Sequence, residues 1–215
     1  MLEPSPAETP PAAEKTPKTG RAAKTEARAA GFMRSALAII AETGRADFTV
    51  LEVVERSKTS LRAFYQHYST KDDLLIALLK AIMADSTEQW RAETAAMSGP
   101  AALRHVMDRI GAPASSSTQD SLNRGLTYSN DHLMETRPAE YAQVMQPLHR
   151  LMTDIVVRGI RDGDFRADID PESTAAIVMQ TALGALRLRR LAGELTANPI
   201  DSAAISAFCI RSLAP

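Results

Sequence analysis

The sequence predicts an all-α fold, and three features carry that expectation. Hydrophobic residues make up 45% of the chain but aromatic residues only 5%, a balance that favours helix over sheet. Apolar residues recur at spacings of three and four, the helical period, rather than two. Hydroxyl or acidic residues stand where those segments begin, often with an acid three positions on, and Gly or Pro stands near their limits. About nine helices are expected along the 215 residues.

The elements follow in order. Residues 1–22 hold Pro, Ala, Thr, Glu and Lys with almost no large apolar side chain. They cannot bury enough surface to offset ordering entropy, and a disordered tail is expected. From about Lys24 a helix carries Phe32, Ala36, Leu37 and Ile40 on one face and ends at Gly44. Thr49 caps a short helix, VLEVVER, with Val50, Val53 and Val54 on one side; its β-branched residues also suit a strand. Ser57–Ser60 breaks the pattern. Thr59 or Ser60 caps a second short helix through about His67. The run STKDD opens a long helix, about Lys71 to Thr94, with a wide apolar face from Leu74 to Met83.

Further on, helices are expected near Ala101–Ile110 and Ser121–Ser129, the second followed by a broken segment to Pro138. Another runs over 139–161, kinked or interrupted near Pro147. Asp170 caps, and Pro171 opens, a helix through about Ala192. A last helix covers Ile200 to Leu213.

Several function classes recede. No GxGxxG, P-loop or HExxH motif is present, and no cofactor or metal is implied. The four acids of Asp162–Asp170 do not make a calcium loop, since Gly163 and Arg166 do not fit the EF-hand pattern. The single cysteine, Cys209, allows no intrachain disulfide and points to a reducing compartment. No apolar run reaches the roughly 18 residues of a membrane span, and the N-terminus lacks a signal-peptide core. A cytoplasmic protein is expected.

Charge is uneven. From Lys15 to Asp72 eleven Lys/Arg face six Asp/Glu, an excess of five cations, whereas the remainder of the chain is acidic. A basic front end on an acidic body suggests contact with a polyanion. Within that front end lies TSLRAFYQHYSTKDDLL, where Phe64, Tyr65, His67 and Tyr68 crowd together between Arg62 and Lys71. Two short helices joined by a three- or four-residue turn suggest a helix-turn-helix.

From Phe32 to Leu75 the chain resembles the DNA-binding domain of the TetR family of bacterial transcriptional regulators. The matching features are Phe32-Met33, Ala36-Leu37, Gly44, Thr49 with Val50 and Val53, Ser60, Tyr65-Gln66-His67-Tyr68 and Lys71. Residues 157–178 resemble the family more weakly. Two positions depart from the pattern. The family's usual Ala-Gly-Val-Ser turn reads Ser57-Lys58-Thr59-Ser60 here, so Lys58 must supply the geometry of a glycine, at about 1 kcal/mol if its φ is positive. Arg62 replaces a usually small residue of the recognition helix.

The resemblance implies a DNA-binding domain over 23–70 and a ligand-binding and dimerisation domain over 71–215. It implies DNA contacts from Thr49, Thr59, Ser60, Leu61, Arg62, Tyr65, Gln66, His67 and Lys71. On the residues themselves, Leu61, Arg62 and Gln66 face outward from a helix beginning at Ser60, while Phe64 and Tyr68 plug the core. Arg62 carries the fork that fits guanine O6 and N7; its alternative partner is Glu52 or Glu55. The Tyr65 hydroxyl suits a phosphate oxygen, and His67 is either a phosphate contact or a structural imidazole. Lys71 at a helix N-terminus opposes the dipole unless a phosphate docks there. Lys18, Arg21, Lys24 and Arg28 are candidates for non-specific or minor-groove contacts.

The body is rich in Leu, Ile, Val and Met, so a mostly apolar ligand pocket is expected there. Its candidate polar anchors are Trp90, Tyr128, Asn130, His132, Tyr141 and His149. One short recognition helix reads few base pairs, so a homodimer on a palindromic operator is expected. The candidate dimer surface is Ala175, Ala176, Met179, Leu183, Leu186, Ile205 and Cys209. The expected function is a repressor released from DNA by a small apolar molecule. A ligand-independent or activating regulator remains an alternative, as does an all-helical carrier or enzyme.

Overall fold

The computed structural model describes residues 18–188 and 201–215, with side chains over 22–184 and 201–215. Among the described residues there are nine helices and no strand: α1 (Lys18–Thr43), α2 (Val50–Arg56), α3 (Leu61–Tyr65), α4 (Lys71–Thr94), α5 (Gly99–Ile110), α6 (Ser117–Thr136), α7 (Pro138–Arg161), α8 (Pro171–Leu188) and α9 (Ser202–Leu213). None is long and apolar enough to cross a membrane.

Local chemistry sets the ends. Gly44, at φ 69°, donates its N–H to the Ile40 carbonyl at 2.8 Å and stops α1. Thr49 and Glu52 cap α2 reciprocally, which decides VLEVVER for helix over strand. Thr70 and Asp73 do the same for α4. The Asp170 carboxylate accepts the Ser173 N–H at 2.8 Å, and Pro171 opens α8 as expected.

Three elements differ from expectation. Helix α1 starts at Lys18, inside the segment expected to be a disordered tail; residues 1–17 lie outside the described residues. Helix α6 is continuous over 20 residues. Its inward face is Gly125, Ser129 and Leu133, four residues apart, and two of these are too small and polar to register as an apolar stripe. Ser129 meets its own need by donating to the Gly125 carbonyl at 3.0 Å. Helix α7 runs through Pro147 without interruption. Its flanking residues Val144, Met145, Leu148, Leu151 and Met152 are all buried, and that packing offsets the backbone hydrogen bond proline cannot make.

Helices α1–α3 form a small front unit around Phe32, Ile40, Val53 and Phe64. Helix α7 lies at the centre of the body, against α4, α5, α6 and α8, and α9 packs on α5 and α8. The two parts meet where α1 packs on α4 and on α6. Helix α6 lies along α1, so close at Gly125 that a Cβ there would sit 2.4 Å from Ile40 Cγ2. The first turn of α4 is also tied to the body. Arg137 donates to Asp73 at 2.6 Å and to Glu140 at 2.8 Å, and a His132 ring nitrogen lies 3.2 Å from Asp72.

The Arg137 hydrogen bond holds the Asp73 carboxyl below the usual carboxylate range. A depressed folded pKa stabilises above the unfolded value and is lost as pH falls through the folded one. Arg137→Ala should therefore cost about 1 kcal/mol at neutral pH, the upper end for a partly exposed pair. The gap to the parent protein should close as pH falls below about 4. Urea melts of both proteins at stepped pH measure this, and a gap that stays constant into acid would mean that Asp73 is not the partner that matters.

Candidate nucleic-acid interface and body clefts

The front unit is built around aromatic side chains. Phe32 from α1 meets Phe64 edge-on at 5.4 Å between centroids, and Tyr68 at 6.3 Å. Phe64 and Tyr68 are themselves 5.7 Å apart. Phe32 and Phe64 are fully buried, and burial pushes the Tyr68 hydroxyl above its ordinary pKa. These contacts anchor α3, which has only five residues and would not hold alone. Such pairs contribute about 0.5–1.5 kcal/mol each beyond area burial.

Helices α2 and α3 are joined by Ser57–Ser60. Lys58 has φ 52°, the one positive value among described non-glycine residues, so it does occupy the glycine-like position of the turn. Its N–H donates to Glu55 and that of Thr59 to Val54, at 3.1 and 2.9 Å, which locks the bend. Ser60 accepts the Ala63 N–H at 3.2 Å and caps α3.

With Phe64 pointing inward, α3 turns Leu61, Arg62, Tyr65 and Gln66 to the surface. Tyr65 is 57% exposed and Leu61 44%. Arg62 forms no ion pair among the described residues, so neither Glu52 nor Glu55 holds it. The Glu52 carboxylate is occupied by the Thr49 N–H and hydroxyl, at 2.6 and 2.8 Å. Arg28, Lys58 and Arg62 line one depression of about 330 Å³ beside Thr59, Ser60 and Gln66. A helix face with free side chains beside three cations can accept a polyanion and read base edges.

Other expected contacts have jobs inside the fold. The Thr49 hydroxyl accepts the Glu52 N–H at 3.2 Å while donating to the same residue's carboxylate, so it acts as a cap. Thr59 shares a 2.8 Å hydroxyl contact with Ser57. The His67 ring packs 5.8 Å from Phe32 and is half-buried. Lys71 Nζ donates to the Ala46 carbonyl at 3.3 Å and lies 5.5 Å from the centre of the Phe48 ring, which fastens the α1–α2 connection to α4. An ammonium has three donors, so two remain for a phosphate.

The body does not gather its expected ligand anchors in one place. Trp90 and Asn130 line an open cleft of about 950 Å³ between α4, the end of α5 and α6. Tyr128 and His132 border a small recess of about 60 Å³ where α6 meets the front unit. Tyr141 and His149 lie on a groove of about 440 Å³ beside Met134, Met145 and Met179. The large cleft is not the mostly apolar pocket expected. Beside Trp90, Ile110 and Leu126 it carries Arg109, Asn123 and Arg124. Arg109 comes from α5, and Asn123 and Arg124 from α6, and they belong to no motif, so nothing in the sequence marked them.

The expected dimer surface also needs correction. Ala175, Met179 and Cys209 face the protomer's own core. Burial raises the Cys209 thiol pKa. Ala176, Leu183 and Ile205 are partly covered, and the Leu186 side chain lies outside the described residues. The large apolar side chains left outside are Ile177, 66% exposed, and Phe208, 62% exposed, on two helices that pack together. Both sides of α8 and α9 are apolar, so periodicity did not say which side faces out.

A capped two-helix unit with an exposed, cation-flanked second helix defines a helix-turn-helix DNA-binding protein. Residues 32–78 match the family profile described as "Bacterial regulatory proteins, tetR family", and over that stretch the chain is similar to that family. The chain is 23% identical over 194 residues to the HTH-type transcriptional repressor KstR2 of Rhodococcus jostii (strain RHA1), covering 89% of this chain and 90% of that protein. The fold is similar to that of the transcriptional regulator FadR from Bacillus subtilis, solved in complex with stearoyl-CoA. The TM-score is 0.65 at 15% identity, over 86% of this chain and 97% of that one. It is also similar to RolR in complex with resorcinol, with a TM-score of 0.64 at 18% identity over 90% of each chain.

Arg62→Ala should cost roughly 1–3 kcal/mol on a cognate site and relax base preference at one position per half-site. Tyr65→Phe should weaken all sequences alike. Selection from a randomised duplex pool measures both, and an unchanged preference profile in Arg62→Ala would remove that arginine from base reading.

Proposed function

We propose that the protein is a cytoplasmic, ligand-responsive repressor that binds a palindromic operator as a homodimer. Residues 23–70 read DNA, and residues 71–215 hold the effector and the partner protomer. The observation that carries this reading is the recognition helix, with Arg62 and Tyr65 exposed beside a basic depression. Five helical residues reach only a few base pairs, so tight specificity requires two copies at a fixed spacing.

Ile177 and Phe208 support α8 and α9 as the contact between protomers, since large exposed apolar groups on paired helices call for a cover. Arginines at both positions, Ile177→Arg with Phe208→Arg, would put unpaired charges into that seam. Sedimentation should then find monomers that keep their helical content and lose operator affinity. A double variant that stays dimeric would move the interface elsewhere.

The effector reading rests on the cleft beside Trp90. An apolar wall of Trp90, Ile110 and Leu126 next to Arg109 and Asn130 suits a small molecule with an apolar body and an anionic or hydrogen-bond-accepting end. Such a ligand would bias α6, and α6 packs on α1 through Gly125. DNA affinity would then change by the ratio of the ligand's affinities for the two arrangements. Trp90 is the chain's one tryptophan, so its emission reports on the cleft. Titration with amphipathic carboxylates should change that emission and raise the operator Kd about tenfold or more, in parallel. Release from DNA without any change in Trp90 emission would place the effector site outside this cleft.

A further inference from the structure

The side chains described at the start of α1 lie on the surface. Residues Ala22 to Ala27 are all exposed, Arg28 to Gly31 are half-covered, and the first buried side chain described in α1 is Phe32. The helix nevertheless runs unbroken from Lys18. Ten residue steps from Lys18 to Arg28 make an arm about 15 Å long. An isolated helix of this length is marginal in water, so its continuity with α1 and its alanines sustain it.

The arm carries Lys18, Arg21, Lys24 and Arg28 against one acid, Glu26. At 3.6 residues per turn Lys24 and Arg28 fall about 40° apart, and Glu26 lies about 160° from Arg28. Phe32, one turn beyond Arg28, falls about 40° further round and faces α3 through its contacts with Phe64 and His67. The cationic face therefore continues the side of α1 that is turned toward the recognition helix. Arg28 shows this directly, since it lines the same depression as Lys58 and Arg62. Lys24 and Arg28 have no ion-pair partner among the described residues.

We infer that the start of α1, through Lys24 and Arg28, forms a helical arm that grips DNA phosphates flanking each half-site. The partner is the sugar–phosphate backbone of duplex DNA, contacted without regard to sequence. The arm lies beside α3 as a preformed helix and adds affinity and register, while base reading stays with α3. This inference rests on the DNA-binding reading above.

The test uses the full chain and compares Lys24→Gln with Arg28→Gln, as a double variant, against Arg34→Gln. Arg34 is exposed on the same helix, but about 120° from Arg28. Each lost phosphate contact should reduce the slope of log affinity against log salt by about 0.9, so the double variant should lose about 2 per protomer. Affinity near physiological salt should fall roughly tenfold or more, equally on operator and on unrelated duplex, with base preference unchanged. Arg34→Gln should match the parent, and circular dichroism should be the same for all three proteins. A double variant with the parent's slope and affinity would overturn the arm as a DNA contact. Equal losses in Arg34→Gln would mean that only net charge matters. A changed base preference would overturn the assignment to phosphates. A parent protein that binds no duplex would instead overturn the DNA-binding reading itself.

Discussion

The edge-to-face contact between Phe32 and Phe64 is what the DNA-facing surface depends on. A five-residue helix has almost no internal hydrogen bonding to sustain it. Its orientation comes from one buried ring pressed against α1, with Tyr68 closing the far side. Once Phe64 is fixed inward, the helical period turns Arg62, Tyr65 and Gln66 outward. The crowd of rings beside two cations is thus a division of labour. Phe64 and Tyr68 hold the helix, His67 fills the gap beside Phe32, and Tyr65 sets its ring edge-on to Phe64 while staying exposed.

The same unit is connected to the body by contacts of different kinds. Ile40 against Gly125 is a close steric fit, which transmits displacement because neither side can yield. Asp73 with Arg137 is an ion pair, which fixes where α4 begins relative to α7. Lys71, fastened to the Ala46 carbonyl, ties the loop before α2 into that junction. Helices α4 and α6 are thus joined to the front unit by short, named contacts.

Much of the front unit was legible in the sequence because its signals are local. Thr49 with Glu52, Thr70 with Asp73, and Gly44 each act within a few residues of where they stand. The turn was legible through the resemblance, which put Lys58 where the family has a glycine, and its φ of 52° is the strained value such a position asks for. The body was harder. Helix α6 buries Gly125 and Ser129, a face that no hydrophobic period reveals. The outward sides of α8 and α9 carry Ile177 and Phe208, but their inward sides are equally apolar. The large cleft draws on α4, α5, α6 and an intervening loop, so its chemistry exists only after the helices have packed.

The junction also bears on modularity. Reading heads of this type invite exchange between sensor bodies, with the cut placed at the short linker before α4. Here such a cut would separate residues that are matched across it. The head contributes Ile40 and the Ala46 carbonyl; the body contributes Gly125 and Lys71. A transplanted head would need a glycine facing Ile40 and a cation under Ala46 in its new host. The unit that can be moved intact is the head together with the first turn of α4 and the facing stretch of α6, two pieces far apart in the chain.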